Sequence, residues 1–173
     1  MYRKKLVIVI LLLNLFSTVA CQSKLATPTL QLGETAMPFE TLFLDEFGQN
    51  LQLTPEQEVA ILNSPTDVIK LQSLISPEAF QKLKQVNFDV RSVVALFHVD
   101  VGGCSGFGVT IERLVRTSDT LIVYANLWQP PSGGACAEEG LFSPYHLVLV
   151  SKEAMTSAIS KWQVQSQKVE RHN

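Results

Sequence analysis

The residues of this chain with chemical potential are three cysteines, three histidines and one glycine cluster. Cys104 sits inside Gly102-Gly103-Cys104-Ser105-Gly106-Phe107-Gly108. Its thiol becomes a nucleophile only if a base such as His98 or His146 stands beside it and lowers its pKa. The same two histidines are the candidate metal ligands. Neither reading has a motif behind it: H-E-x-x-H, C-x-x-C and the G-x-S-x-G elbow are all missing. Glycines after a strand cradle a phosphate when a helix follows. Here an alternating run follows, without the lysine and Ser/Thr of a P-loop, which disfavours nucleotide binding. The cluster reads as a tight bend in which glycine supplies positive φ. Exposed, the same bend is a recognition loop for a protein, and its binding residues would be Gly102, Gly103, Ser105, Gly106 and Phe107. Pro144 and Tyr145 are further candidates for this surface, with Pro144 opening a strand and Tyr145 packing its ring while its hydroxyl lies at the sheet edge; core packing is the competing and commoner role for such a segment. Glu138 and Glu139 read as solvated loop charges. No cofactor and no metal is expected.

The chain that must position these residues has 173 of them, 46% hydrophobic and 17% charged, enough for one ordinary domain. Fourteen Lys and Arg against sixteen Asp and Glu leave no basic excess, so a nucleic-acid role has no electrostatic footprint. Three of those cations, Arg3, Lys4 and Lys5, precede the apolar run Leu6 to Leu13, and Ser17-Thr18-Val19-Ala20-Cys21 follows it. A basic start, a short apolar stretch and small residues describe an export signal over 1–20. The apolar stretch is short of the ~20 residues that a membrane span needs. Small residues just before Cys21 resemble a bacterial lipobox, with Thr18 where Leu is commonest. That resemblance implies a lipidated Cys21 at the mature N-terminus, held in a membrane by acyl chains that each contribute ~0.8 kcal/mol per buried CH₂. The expected location is then the bacterial cell envelope, on the exported side of a membrane. With Cys21 acylated, Cys104 and Cys136 remain as one disulfide pair in an oxidising compartment. Closing that loop of about 30 residues would stabilise the fold by ~3–4 kcal/mol.

Residues 21–40 hold two prolines and little apolar periodicity and read as a tether, with a reach of ~20–25 Å. A single domain is expected over 41–163, followed by a polar, frayed tail over 164–173. Within the domain, 41–53 reads as two short strands around Gly48-Gln49-Asn50, and Val59 to Leu62 as another. Ser64-Pro65 and Ser76-Pro77 each signal a helix start, predicting one broken helix over 65–86. Val93 to Phe97 is an apolar run suited to a central strand. Phe107 to Ile111 and Leu121 to Trp128 alternate with period two, and Tyr145 to Val150 is a further strand. Met155, Ala158, Ile159 and Trp162 fall at helical spacing and predict a C-terminal helix over 153–162. Strands in series, with helices only before and after them, predict an α+β fold built mainly on an antiparallel sheet.

The order of these elements, with Gly106-Phe107-Gly108-Val109-Thr110-Ile111 and Pro144-Tyr145-His146, resembles the C-terminal domain of PrcB-like proteins, a family named after a subunit of a bacterial protease complex. The resemblance covers roughly 57–150. The family's turn is similar to T-G-G-Y, and Cys104-Ser105-Gly106-Phe107 stands in its place here. The resemblance implies a lipid-anchored, non-catalytic domain that associates with or stabilises an exported protease. The glycine turn is also similar to the loops of chagasin-type inhibitors, which implies a protease inhibitor acting through residues 102–107. An enzyme using Cys104, or His98 with His146, is the remaining alternative.

Overall fold

Apolar residues on both sides of a strand demand cover on both sides, and the run Arg91-Ser-Val-Val-Ala-Leu-Phe97 is such a strand. In the computed structural model, which describes residues 33–49, 53–54, 58–98, 106–130, 143–155 and 159–170, it is β4, Arg91–Phe97. The chain is mostly β, in two four-stranded sheets with three short helices. One sheet has the order β2-β7-β4-β3, where β2 is Phe39–Gln49, β3 is Val59–Leu62 and β7 is Ser143–Ser151. The other has the order β1-β5-β6-β8, from Thr35–Met37, Gly108–Arg116, Thr120–Gln129 and Lys161–Glu170. All pairs are antiparallel except β6–β8.

Two cores result. Val94 and Leu96 of β4, with Val148 and Val150 of β7, pack against Val109, Leu114, Leu121 and Val123 of the other sheet. Val93, Ala95, Phe97, Tyr145 and Leu147 face the opposite way. They are covered by Val68 of α1 (Pro65–Ile69), by Leu71 and Ile75, and by Ala79 and Leu83 of α2 (Pro77–Lys84). The layers are therefore helices, a sheet whose central strands β4 and β7 are covered on both faces, and a second sheet with one face to solvent.

The helix starts form where Ser-Pro occurs. Ser76 caps α2 by accepting from the Ala79 N–H at 3.3 Å, with Pro77 first in the helix. Ser64 holds the same position before α1 but its side chain makes no cap bond. Its hydroxyl donates instead to Asp67, which also accepts from the Asn63 N–H at 3.1 Å. The Lys70 hydrogen bond, more than any other contact, holds the Asp67 carboxyl below its usual pKa.

Several expectations change. The strands expected in one series divide between sheets, β4 and β7 in one, β5 and β6 in the other. Residues 41–53 were expected to turn at Gly48; β2 instead runs unbroken to Gln49 along β7, and register shifts beside Gly48 take up the surplus residues. Order reaches into the expected tether, because Thr35–Met37 pairs with β5 and Met37 is buried. Of the expected C-terminal helix, the described residues show α3, Lys152–Met155, while Trp162 lies outside any helix. Trp162 and most of the expected polar tail lie in β8, because β6 offers ten consecutive residues for pairing and β8 takes all of them in register.

Candidate functional site

Strand directions sort the connections between the two ends of the sandwich. The chain enters at Gly33, and Thr35 pairs with Arg116, the last residue of β5. At the opposite end β4 leaves at His98, β5 begins after Gly106 and Phe107, β6 leaves at Pro130 and β7 begins at Ser143. The connections 99–105 and 131–142 thus depart from and return to one end, away from the point of entry. Of the expected binding residues, Gly102, Gly103 and Ser105 lie outside the described residues. So do Cys21, Cys104 and Cys136, on which the lipid and disulfide expectations fall.

Gly106 has φ +102°, and a Cβ there would stand 3.4 Å from Cβ of Pro130. Positive φ is the conformation for which a glycine was expected here. Phe107 is half-buried, its ring edge-on to His98 at 6.0 Å between centroids. Gly108 lies under Trp128, whose Cδ1 would be 3.5 Å from an added Cβ. Trp128 Nε1 donates to Thr110 Oγ1 at 3.1 Å. Among the described residues, this end presents Gly106, the half-buried Phe107 and the indole of Trp128. Trp128 was not among the expected site residues; its parity with Tyr124 and Asn126 on the solvent face of β6 was the available signal.

Pro144 and Tyr145 do not belong to that surface. Both are buried, Tyr145 completely, so they support the end from beneath. The Tyr145 ring packs against Phe43 at 6.2 Å and Phe97 at 5.7 Å. Its hydroxyl is not at a sheet edge. It accepts from the Ser76 N–H at 2.9 Å and donates to Ser76 Oγ at 3.0 Å, tying β7 to the cap of α2. Burial pushes the phenol up to about 12, assisted by Asp45 and opposed by the bonds to Ser76.

His146 is the second support. The Ile111 N–H donates to its Nδ1 at 2.9 Å, so Nδ1 carries no proton. The neutral ring therefore holds its proton on Nε2 and donates to Thr41 Oγ1, also at 2.9 Å. This bond from Ile111 crosses between the two sheets. Burial lowers the His146 pKa to about 4, so the ring is uncharged at neutral pH. With both nitrogens engaged, His146 acts here as an inter-sheet bolt. His98, the other candidate ligand or base, is buried and packed on Phe107. Among the described residues no group of three His, Cys, Asp or Glu is placed to hold a metal ion. Among them, too, no helix is long and apolar enough to cross a membrane.

No family model, curated protein or solved structure matches this chain.

Proposed function

We propose that this is a lipid-anchored protein of a bacterial cell envelope whose sandwich binds another protein, without catalysis, through the end that carries Gly106, Phe107 and Trp128. The observation that carries the reading is the opposition of two ends. The chain enters beside Arg116, and the Gly- and Pro-rich connections depart from the far side. An anchor at Cys21 would then hold the entry end toward the bilayer and present the far end outward. The PrcB-like resemblance makes an exported protease the first partner to test.

Crosslinking in native membranes, followed by purification, is the test. A specific partner should be captured by the wild-type protein and lost with Phe107→Ala, while an exposed substitution near the entry end, such as Ser118→Ala, leaves capture intact. Equal capture by all three proteins, or none by any, overturns the binding proposal. Mass spectrometry should find an acylated Cys21, and an unmodified N-terminus on soluble protein overturns the anchor. Titration against cysteine and serine proteases separates the inhibitor alternative, which requires inhibition at micromolar concentration.

A further inference from the structure

Four strand edges border the two sheets, and three are blunted. β1 has three residues and β3 has four. β2 is long but carries register shifts at three places. Short or bulged edges are how β proteins avoid pairing with other chains. β8 has none of these features. Its ten residues follow β6 without a shift, contain no proline or glycine, and are exposed apart from the half-buried Val164 and Val169. Among the described residues nothing pairs with its outer edge.

A row of side chains on the solvent face points at that edge. Asn126 Nδ2 donates to Glu112 Oε1 at 2.6 Å, and Gln167 Nε2 donates to Asn126 Oδ1 at 2.6 Å. An ionised carboxylate only accepts, so Glu112 fixes the orientation of Asn126, and Asn126 fixes that of Gln167. The row runs across β5, β6 and β8 with every donor aimed inward. It leaves Gln167 Oε1 as the acceptor at the open side, where the next strand would supply a donor.

We propose that the β8 edge pairs antiparallel with β8 of a second copy of this chain, joining two four-stranded sheets into one. A two-fold axis normal to the sheet preserves faces, so each residue can lie opposite only residues of its own parity. Two registers overlap nearly the whole strand. Centring on Ser166 sets Trp162 opposite Glu170 and Lys168 opposite Val164, which brings no cation to the indole. Centring on Gln165 sets Lys161 opposite Val169, and twice brings the Lys168 ammonium to Trp162, an exposed aromatic. The same register puts Gln163 of the second copy opposite Gln167, where its amide can donate to the waiting oxygen. Gln165 then faces Gln165. The cation–aromatic pair selects this alignment, since a glutamine stands opposite Gln167 in either register.

The full-length chain in detergent should sediment as a dimer. Gln165→Lys and Gln165→Glu each place like charges face to face, and each should sediment as a monomer with an unchanged circular dichroism spectrum. Mixing the two variants should restore the dimer. Separately, Gln165→Cys should form a crosslinked dimer on mild oxidation, and Gln163→Cys, opposite Gln167, should not. A monomeric wild type, dimers that survive both charge variants, a mixture that stays monomeric, or equal crosslinking at 163 and 165 each overturns the proposal.

Discussion

The two ends of the sandwich are held together by different chemistry. At the entry end, cations take up backbone carbonyls. Lys152 Nζ donates to the Phe88 carbonyl at 2.6 Å and to that of Asn63 at 3.0 Å. Arg116 Nη1 donates to the Ala154 carbonyl at 2.6 Å. These bonds gather the ends of β3, β5 and β7 and the start of β4 around two cationic side chains. At the far end the work is done below the surface by two neutral groups, His146 and Tyr145. The contrast teaches two ways of holding one end of a sandwich: cationic side chains on backbone carbonyls at the entry end, and neutral buried side chains that join β7 to β5, β2 and the cap of α2 at the other.

The contrast is tested hardest at His146. His146→Ala removes two hydrogen bonds, strands the Ile111 N–H and opens a cavity, and should destabilise the fold by about 3–4 kcal/mol in urea unfolding. The wild type should also be acid-sensitive in a defined window. The folded pKa of about 4 lies below the ordinary 6.5, so the unfolded chain takes up the proton first. Stability is therefore full above about pH 6.5 and falls as pH drops to about 4, by up to about 3 kcal/mol. The slope in that window should be absent from His146→Ala. An unchanged slope would mean that another group senses the acid.

Tyr145 makes the mirror-image case. Its pKa is raised from 10.0 to about 12, so its stabilisation is complete below pH 10 and is lost as pH rises toward 12. Tyr145→Phe keeps the ring among Phe43 and Phe97 and removes only the link to Ser76. The expected cost is about 1–2 kcal/mol at neutral pH, with the alkaline slope between 10 and 12 reduced. A neutral result would show that the cap of α2 finds water in place of the phenol.

What could be read from the residues in advance follows the range of the interaction concerned. The Ser76-Pro77 start, the Val93 to Phe97 run and the alternation through β5 and β6 are written within a few positions, and they appear where expected. β8 was hidden because Met155, Ala158, Ile159 and Trp162 satisfy a helical spacing, whereas Trp162 and Val164 between glutamines also satisfy a strand. Only the unfilled side of β6, forty-one positions earlier in register, decides between them. β2 was split in the reading because Gly48 breaks a strand locally, while pairing with β7 carries the strand through. His146 looked like a ligand or base because its partner, the Ile111 N–H, is 35 positions away and belongs to the other sheet. Of the candidate surface, Gly106 was legible through its conformational need, and Tyr145 was misplaced by the expectation that a strand-opening tyrosine shows its hydroxyl.

The smallest effect is expected at the entry end, and its shape matters more than its size. Lys152→Ala removes the donor to the Phe88 and Asn63 carbonyls, but these lie near the surface and water can replace the ammonium. The cost should be about 1 kcal/mol, below that of either buried support. The loss should be the same at pH 5 and pH 8, whereas the cost of His146→Ala should shrink as the wild type loses its own stability in acid. Lys152→Met, which retains the stem but not the charge, should match the alanine variant if hydrogen bonding dominates and recover part of the loss if the stem's packing does. A pH-dependent loss at Lys152 would show that the two ends are coupled and would dissolve the division between a charged, solvent-tolerant end and a neutral, buried one.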